Sequence, residues 1–261
     1  MSMIATLTVM VNLMEDRTVS KDMFELVIED EEKLAACQYF VTGFHGLGSV
    51  GYIATKHLLD ELKAERVAII KSKASPSFIY LEDGRIVMPF ELYCVRDVLL
   101  FLPRLPPYRH AETDFAEALV EWVVGQQFKQ AFLVGGVDKS LQDDESFIRY
   151  VPTRRFLDGR EEDSPYRKHM LATGLMIQGP LAMMLGLLDL EQFAALGVLA
   201  FAERERPDPV GAAKAIEVLN ELLGLECSTE ELLKNAQIYE DELRKLPGQE
   251  EPGSGPPETY T

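Results

Sequence analysis

Hydrophobic and polar positions alternate along this chain in blocks that predict strands and helices in turn. Short apolar runs predict strands at residues 24–28, 39–41, 67–70, 97–102, 131–134 and 194–201. Apolar residues at helical spacing predict helices after Gly51, at 113–127, from Gly179-Pro180 onward, at 210–223 and from Ser228 to about 246. Residues 29–33 are charged and predict an exposed turn. Strands that alternate with helices indicate an α/β fold.

Residues 38–63 join a strand to a helix through four closely spaced glycines: Gly43, Gly46, Gly48 and Gly51. The last three match the dinucleotide pattern G-x-G-x-x-G between a strand and a helix. In one interpretation the backbone approaches a phosphate or nucleotide that lies on the helix N-terminus. In the other, the glycines form a tight turn that packs the helix closely on the sheet.

The residues that follow favour the structural interpretation of the turn. A dinucleotide-binding unit ends its second strand with an acidic residue, about 20 residues further on. Here the predicted strand 67–70 is followed by Lys71 and Lys73. Residues 78–88 then predict a hairpin around Asp83-Gly84 where that unit needs a crossover helix. Ligand binding at the turn stays the alternative hypothesis.

Three further segments carry candidate chemistry. The proline-rich loop after strand 97–102 contains Arg104, Tyr108, Arg109 and His110, which form either an anion site or a solvated loop. Gly135-Gly136 predicts a second glycine turn after a strand. Residues 139–168 are rich in charge, and we expect them to contact a partner or another subunit. No nucleophile–base pair and no metal-spaced cluster is found, so no catalytic, metal or cofactor residue is expected.

The net charge and the cysteines indicate which partners and which cellular compartment to expect. With 26 basic and 43 acidic residues the net charge is −17, which argues against binding to nucleic acid or an anionic membrane. The three cysteines are isolated in sequence, as expected of buried thiols in a reducing, cytoplasmic compartment. No apolar run reaches the length of a membrane span, and the N-terminus is a poor signal peptide.

The run GFHGLGSVGYIATKHLLDELKAERVA, followed by SPSF and LEDGRIVMP, resembles the proteasome assembly chaperone 2 family, and more specifically its archaeal homologues. The family's glycine turn G-x-x-G-x-G-x-V-G is matched by Gly43, Gly46, Gly48, Val50 and Gly51. The resemblance extends to about residue 237 and includes the Pro-Asp-Pro before helix 210–223. It implies a non-enzymatic chaperone with a three-layer α/β/α fold, similar to nucleoside phosphorylases, around a mostly parallel sheet.

The last residues, PGQEEPGSGPPETYT, differ in composition from the rest of the chain and predict a flexible tail. Proteasome activators and some assembly chaperones end in a hydrophobic residue, a tyrosine and any residue. Tyr260 and Thr261 match this ending, whereas Thr259 replaces the hydrophobic residue. The resemblance therefore implies binding to α subunits of the 20S proteasome through Thr259, Tyr260 and Thr261. An oligomer of this chain would engage several sites at once.

The expected organisation has three parts. Residues 1–23 are expected to form an N-terminal extension for which the sequence predicts no role. Residues 24–246 are expected to form one α/β domain. Residues 247–261 form the tail.

Overall fold

A computed structural model describes residues 25–82, 84–204 and 206–245. The strands are β1 (Glu25–Ile28), β2 (Tyr39–Gly43), β3 (Glu65–Lys71), β4 (Tyr80–Glu82), β5 (Arg85–Val87), β6 (Phe90–Val95), β7 (Val98–Pro103), β8 (Gln130–Asp138), β9 (Ile148–Pro152) and β10 (Ala195–Ala202). The α-helices are α1 (Glu31–Ala36), α2 (Val50–Glu61), α3 (Glu112–Gly125), α4 (Arg154–Leu157), α5 (Pro165–Lys168), α6 (Pro180–Leu190), α7 (Pro209–Leu223) and α8 (Glu230–Lys245).

Eight of these strands form one mixed sheet in the order β1-β3-β6-β7-β2-β8-β10-β9. The four central strands β7, β2, β8 and β10 are parallel to one another. The outer strands pair in antiparallel fashion on both sides of this centre. Strands β4 and β5 form a separate hairpin, as predicted around Asp83-Gly84.

Helices cover both faces of the sheet. One apolar core contains side chains of α1, α3 and α6, and the other contains side chains of α2 and α7. Successive residues of the central strands enter opposite cores, as Leu99 and Leu100 do. The central strands are continuous apolar runs because both of their faces are covered. The predicted α/β fold, with helices on either side of a centrally parallel sheet, is confirmed.

Four predicted boundaries differ from the structure. Residues 29–33 were expected to form an exposed turn, yet α1 begins at Glu31 and is capped by Asp30, whose side chain accepts a hydrogen bond from the Lys33 amide. Strand β8 does not end before Gly135-Gly136 but continues through both residues to Asp138. Residues 139–168 contain strand β9 and two short helices. Helix α8 was expected to begin at Ser228 and begins at Glu230.

Strand β6 is missing from the sequence-based prediction because Glu91 and Tyr93 interrupt its apolar pattern. Both residues are buried in the structure. The Glu91 carboxylate accepts hydrogen bonds from Arg66 Nη1 at 2.7 Å, from the Tyr93 hydroxyl at 2.5 Å and from Arg104 Nη2 at 3.3 Å. A buried carboxylate needs such partners to offset its desolvation.

Arg104 extends this buried network to the β4–β5 hairpin. Its side chain is 1% exposed and Nη2 donates to Glu82 Oε2 at 3.1 Å, while Nη1 donates to the Tyr80 hydroxyl. Burial lowers the pKa of Arg104, but its interactions with Tyr93, Tyr80 and Glu82 outweigh burial and raise that pKa above its usual range. Arg104 therefore attaches the hairpin to the sheet and is not available for an anion site in the loop.

We predict that Arg104→Leu lowers the free energy of unfolding by about 3–5 kcal/mol, because the substitution leaves the buried Glu91 carboxylate and two tyrosine hydroxyls with fewer partners. Urea unfolding followed by circular dichroism measures the effect. Arg155→Leu is the matched control, since Arg155 pairs with Asp158 at 3.1 Å with both side chains more than half exposed. The Arg155→Leu substitution should lower the free energy of unfolding by less than about 1 kcal/mol. Equal losses in the two variants would contradict the role of the network.

Candidate functional site

The glycine turn, residues 43–51, connects the end of β2 to the start of α2. A short 3₁₀ turn, Leu47–Ser49, precedes the helix. Gly48 has φ +61°, and Ser49 is a non-glycine residue in the left-handed region with φ +49°. These two successive residues reverse the chain so that α2 packs back on the sheet.

The turn brings backbone atoms closer together than any side chain would allow. A Cβ atom added to Gly43 would lie 2.2 Å from the carbonyl oxygen of Gly51. One added to Gly51 would lie 2.3 Å from the carbonyl oxygen of Val134 in β8. Gly136 of β8 faces the turn in the same way, because its Cβ would lie 2.2 Å from the Leu47 carbonyl oxygen. These three glycines therefore permit direct packing of backbone on backbone.

The segment after β10 covers the turn at Gly48. A Cβ atom there would lie 2.8 Å from Ala202 Cβ and 3.2 Å from Asp208 Cβ. The Asp208 amide donates to the Gly48 carbonyl at 2.8 Å, and its carboxylate caps α7 by accepting from the Gly211 amide at 2.8 Å. Protein atoms thus occupy the space beside the start of α2, where a dinucleotide-binding unit holds its pyrophosphate.

Gly46 differs from the other three glycines because no atom lies within 4 Å of the position of its Cβ. Its neighbour His45 stacks on Tyr52 with ring centroids 4.0 Å apart. His45 Nε2 lies 2.9 Å from the Arg104 carbonyl oxygen, to which it donates a hydrogen bond. Burial lowers the pKa of His45 below its usual range, and the ring is therefore neutral at pH 7.

A cleft of about 730 Å³ opens beside Gly46 at the carboxyl ends of β2 and β8. Its lining is mixed, and four charged residues contribute to it: Arg109, Glu112, Asp138 and Arg204. Arg204 Nε donates to Asp138 Oδ2 at 3.0 Å. This hydrogen bond, together with bonds from Ser140, lowers the pKa of Asp138 to about 2. The ends of central parallel strands are where open α/β sheets place ligands.

The structure describes part of the site expected from the sequence. Gly43, Gly46, Gly48 and Gly51 lie together in the turn, whereas Thr259, Tyr260 and Thr261 lie outside the described residues, as do residues 1–23. Tyr108 and His110 of the proposed anion loop stack on each other, 5.7 Å between centroids.

The part of the chain that the structure describes contains neither a metal-binding cluster nor a membrane-spanning helix. Its His, Cys, Asp and Glu side chains form no group of three or more that could hold a metal ion. None of its helices combines the length and apolar character needed to cross a bilayer.

Sequence reasoning missed the partners of the turn. Gly136 and Ala202 lie more than 80 residues after Gly51, and their contacts with the turn leave no local pattern. Gly135-Gly136 was noted as a second turn, and this prediction was wrong, since both residues are in β8. The Pro-Asp-Pro motif that contains Asp208 was visible in the sequence, but the hydrogen bond from the Asp208 amide to Gly48 was not.

The sheet and the backbone-packed turn define an α/β protein whose glycine turn is built into its core. The chain belongs to the PAC2 family, since the family's sequence model matches residues 40–246. The resemblance in the first strand, turn and helix is therefore confirmed.

Solved structures share this fold. Pyrococcus furiosus PbaA, described as an archaeal homolog of proteasome-assembly chaperone, is similar with a TM-score of 0.71 and 22% identity over 85% of this chain and 95% of its own. Pyrococcus furiosus PbaB, described as an archaeal proteasome activator, is similar with a TM-score of 0.69 and 19% identity. The match covers 86% of this chain and 98% of PbaB. The uncharacterized protein MJ0106 of Methanocaldococcus jannaschii is 43% identical over 54 residues, which cover 21% of this chain and 23% of that protein.

We predict that Gly51→Ala lowers the free energy of unfolding by about 2–4 kcal/mol, because its Cβ would collide with backbone atoms that cannot move aside. Gly46→Ala is the matched control in the same turn and should change stability by less than about 0.5 kcal/mol. Thermal and urea unfolding of both variants measures the difference. Equal stability of the two variants would show that the close backbone contacts are not needed.

Proposed function

We propose that this chain is a non-enzymatic, proteasome-assembly-chaperone-like protein that binds the 20S proteasome or its α subunits. Membership of the PAC2 family over residues 40–246 is the observation that carries the proposal. The likeness of the fold to PbaA and PbaB, whose descriptions refer to proteasome assembly and activation, supports it.

The chemistry around the turn supports a binding role over a catalytic one. His45 directs Nε2 to a backbone carbonyl, and its lowered pKa leaves it neutral. Asp138 is held ionised by Arg204, and a carboxylate with a pKa of about 2 is a weak general base near pH 7. Both groups therefore serve the structure of the turn and of the cleft.

In this proposal the C-terminal residues Thr259, Tyr260 and Thr261 recognise the 20S proteasome. The proposed contact pairs the carboxylate of Thr261 with a cation such as a lysine, which is a charge-assisted interaction. Tyr260 supplies apolar area and one hydroxyl for hydrogen bonding. A glycine- and serine-rich linker spans about 5–6 Å × √n, which for residues 247–261 corresponds to on the order of 20 Å. Thr259 buries less apolar area than Val or Leu, and a single tail therefore binds weakly.

An oligomeric body would compensate for a weak tail through avidity. The β4–β5 hairpin and the residue before it expose three large apolar side chains, Ile79, Leu81 and Ile86, at 61%, 72% and 53%. Exposed apolar clusters of this kind mark contact surfaces. The buried Arg104 network holds the hairpin in place, which supports its use in contacts between subunits.

We predict that Tyr260→Ala weakens binding to purified 20S particles at least tenfold, because the aromatic anchor is lost. Thr259→Leu should strengthen binding about tenfold, since the larger side chain adds about 1–1.5 kcal/mol of apolar burial. Pull-down and surface plasmon resonance with the full chain and a chain lacking residues 249–261 measure both effects.

The two tail variants are matched, as neither changes the folded body. Equal binding by the full chain, the shortened chain and both variants would exclude the tail as the binding element. Absence of binding by all forms at micromolar concentration would contradict the proteasome as partner. Native mass spectrometry of the chain alone determines the number of subunits.

The second candidate function is binding of a phosphate or nucleotide near the Gly43–Gly51 turn. The observation that favours it is the cleft of about 730 Å³ beside Gly46, at the carboxyl ends of the central strands. Three of the four glycines face protein atoms, so the ligand would lie in the cleft and contact Arg109 along its lining.

A thermal-shift screen with inorganic phosphate and nucleotides tests this second function. A ligand at one hundred times its dissociation constant stabilises the folded state by about 2.7 kcal/mol, which raises the melting temperature by several degrees. Arg109→Ala should abolish the shift without changing the melting temperature of the free protein. No shift with any of these compounds at millimolar concentration would exclude this function.

A further inference from the structure

Two buried cysteines from separate elements meet in the structure. Cys37 ends α1, and Cys94 lies in β6 near its carboxyl end. Their sulfur atoms are 2.9 Å apart, although the residues are 57 positions apart in sequence. Both residues are largely buried, with exposures of 6% and 7%. A disulfide has a sulfur–sulfur bond of about 2.05 Å, and a movement of less than about 1 Å would thus join them.

The surroundings of the pair favour ionisation of one thiol. The two thiols share a hydrogen bond in which either sulfur can be the donor, and this contact lowers the pKa of Cys94 and raises that of Cys37. The charge of the Lys33 ammonium also lowers the pKa of Cys94. A thiolate beside a second thiol is the usual arrangement of a redox-sensitive pair.

We propose that Cys37 and Cys94 form a reversible disulfide when the protein meets a hydroperoxide, and that this bond joins α1 to β6. The Cys94 thiolate attacks a peroxide oxygen, becomes a sulfenic acid and releases hydroxide. The Cys37 sulfur then attacks the Cys94 sulfur, and the hydroxyl group leaves with the Cys37 proton as water. Overall, two thiols and one hydrogen peroxide give one disulfide and two waters. A small dithiol reverses the bond by thiol–disulfide exchange.

The bond would close a loop that contains β2, the glycine turn, α2, β3 and the β4–β5 hairpin. Closing a long loop reduces the entropy of the unfolded chain and stabilises the folded state. Cys227 provides an internal control. It is buried with 4% exposure, its thiol faces the Ser228 carbonyl oxygen at 3.8 Å, and burial raises its pKa to about 12.

The reduced, folded protein is treated with hydrogen peroxide and quenched with catalase, then denatured and alkylated with N-ethylmaleimide. Intact mass and peptide mapping count the thiols and identify their partners. We expect two of the three thiols to be lost and the peptides of Cys37 and Cys94 to be linked, while Cys227 is alkylated. Dithiothreitol should restore all three thiols. The oxidised protein should melt about 5–10 °C higher than the reduced protein.

Cys227→Ser should behave as the unaltered chain does, whereas Cys37→Ser and Cys94→Ser should form no internal link and show no rise in melting temperature. Recovery of three alkylated thiols after peroxide treatment would overturn the proposal. A link that involves Cys227, or a sulfinic acid at Cys94 without a link to Cys37, would overturn it as well. Peptide mapping of the unaltered chain tests the link between Cys37 and Cys94 even if a serine variant does not fold.

Discussion

The contact on which the rest of this fold depends is the packing of one backbone on another at the glycine turn. Gly51 approaches the Val134 carbonyl, and Gly136 approaches the Leu47 carbonyl, at distances that leave no room for a Cβ atom. These contacts set the distance of α2 from β8 and therefore the depth of the core between them. They also allow the segment after β10 to cover Gly48, which joins α7 to the same turn through Asp208.

The glycine turn is filled largely by atoms of its own chain. The glycines that resemble a phosphate-binding loop mostly face protein atoms, and only Gly46 among the four borders open space. The buried charges have a comparable structural role, since Glu91 and Arg104 attach an apolar hairpin to the sheet. Desolvating two charges is costly, and their full set of hydrogen bonds offsets that cost. The network thus fixes the position of a hairpin that exposes the apolar side chains of Leu81 and Ile86.

The sequence predicted the elements whose signals are local. Apolar runs predicted the central strands β2, β7, β8 and β10, and apolar residues at helical spacing predicted α7. The family pattern at residues 43–51 led to the correct fold. Strand β6 was missed because its buried polar residues, Glu91 and Tyr93, interrupt the apolar pattern, and β8 was ended too early because glycines inside a strand resemble a turn.

The sequence by itself therefore determined the central strands and the main helices that flank them, the net negative charge and the family, because periodicity, charge and motif are properties of neighbouring residues. Only the tertiary structure decided which atoms lie against the glycines, that Arg104 is buried and that Cys37 meets Cys94. Each of these facts depends on a contact between residues tens of positions apart. Such contacts arise from the sheet order and from the packing of helices on both faces, and neither leaves a local pattern in the chain.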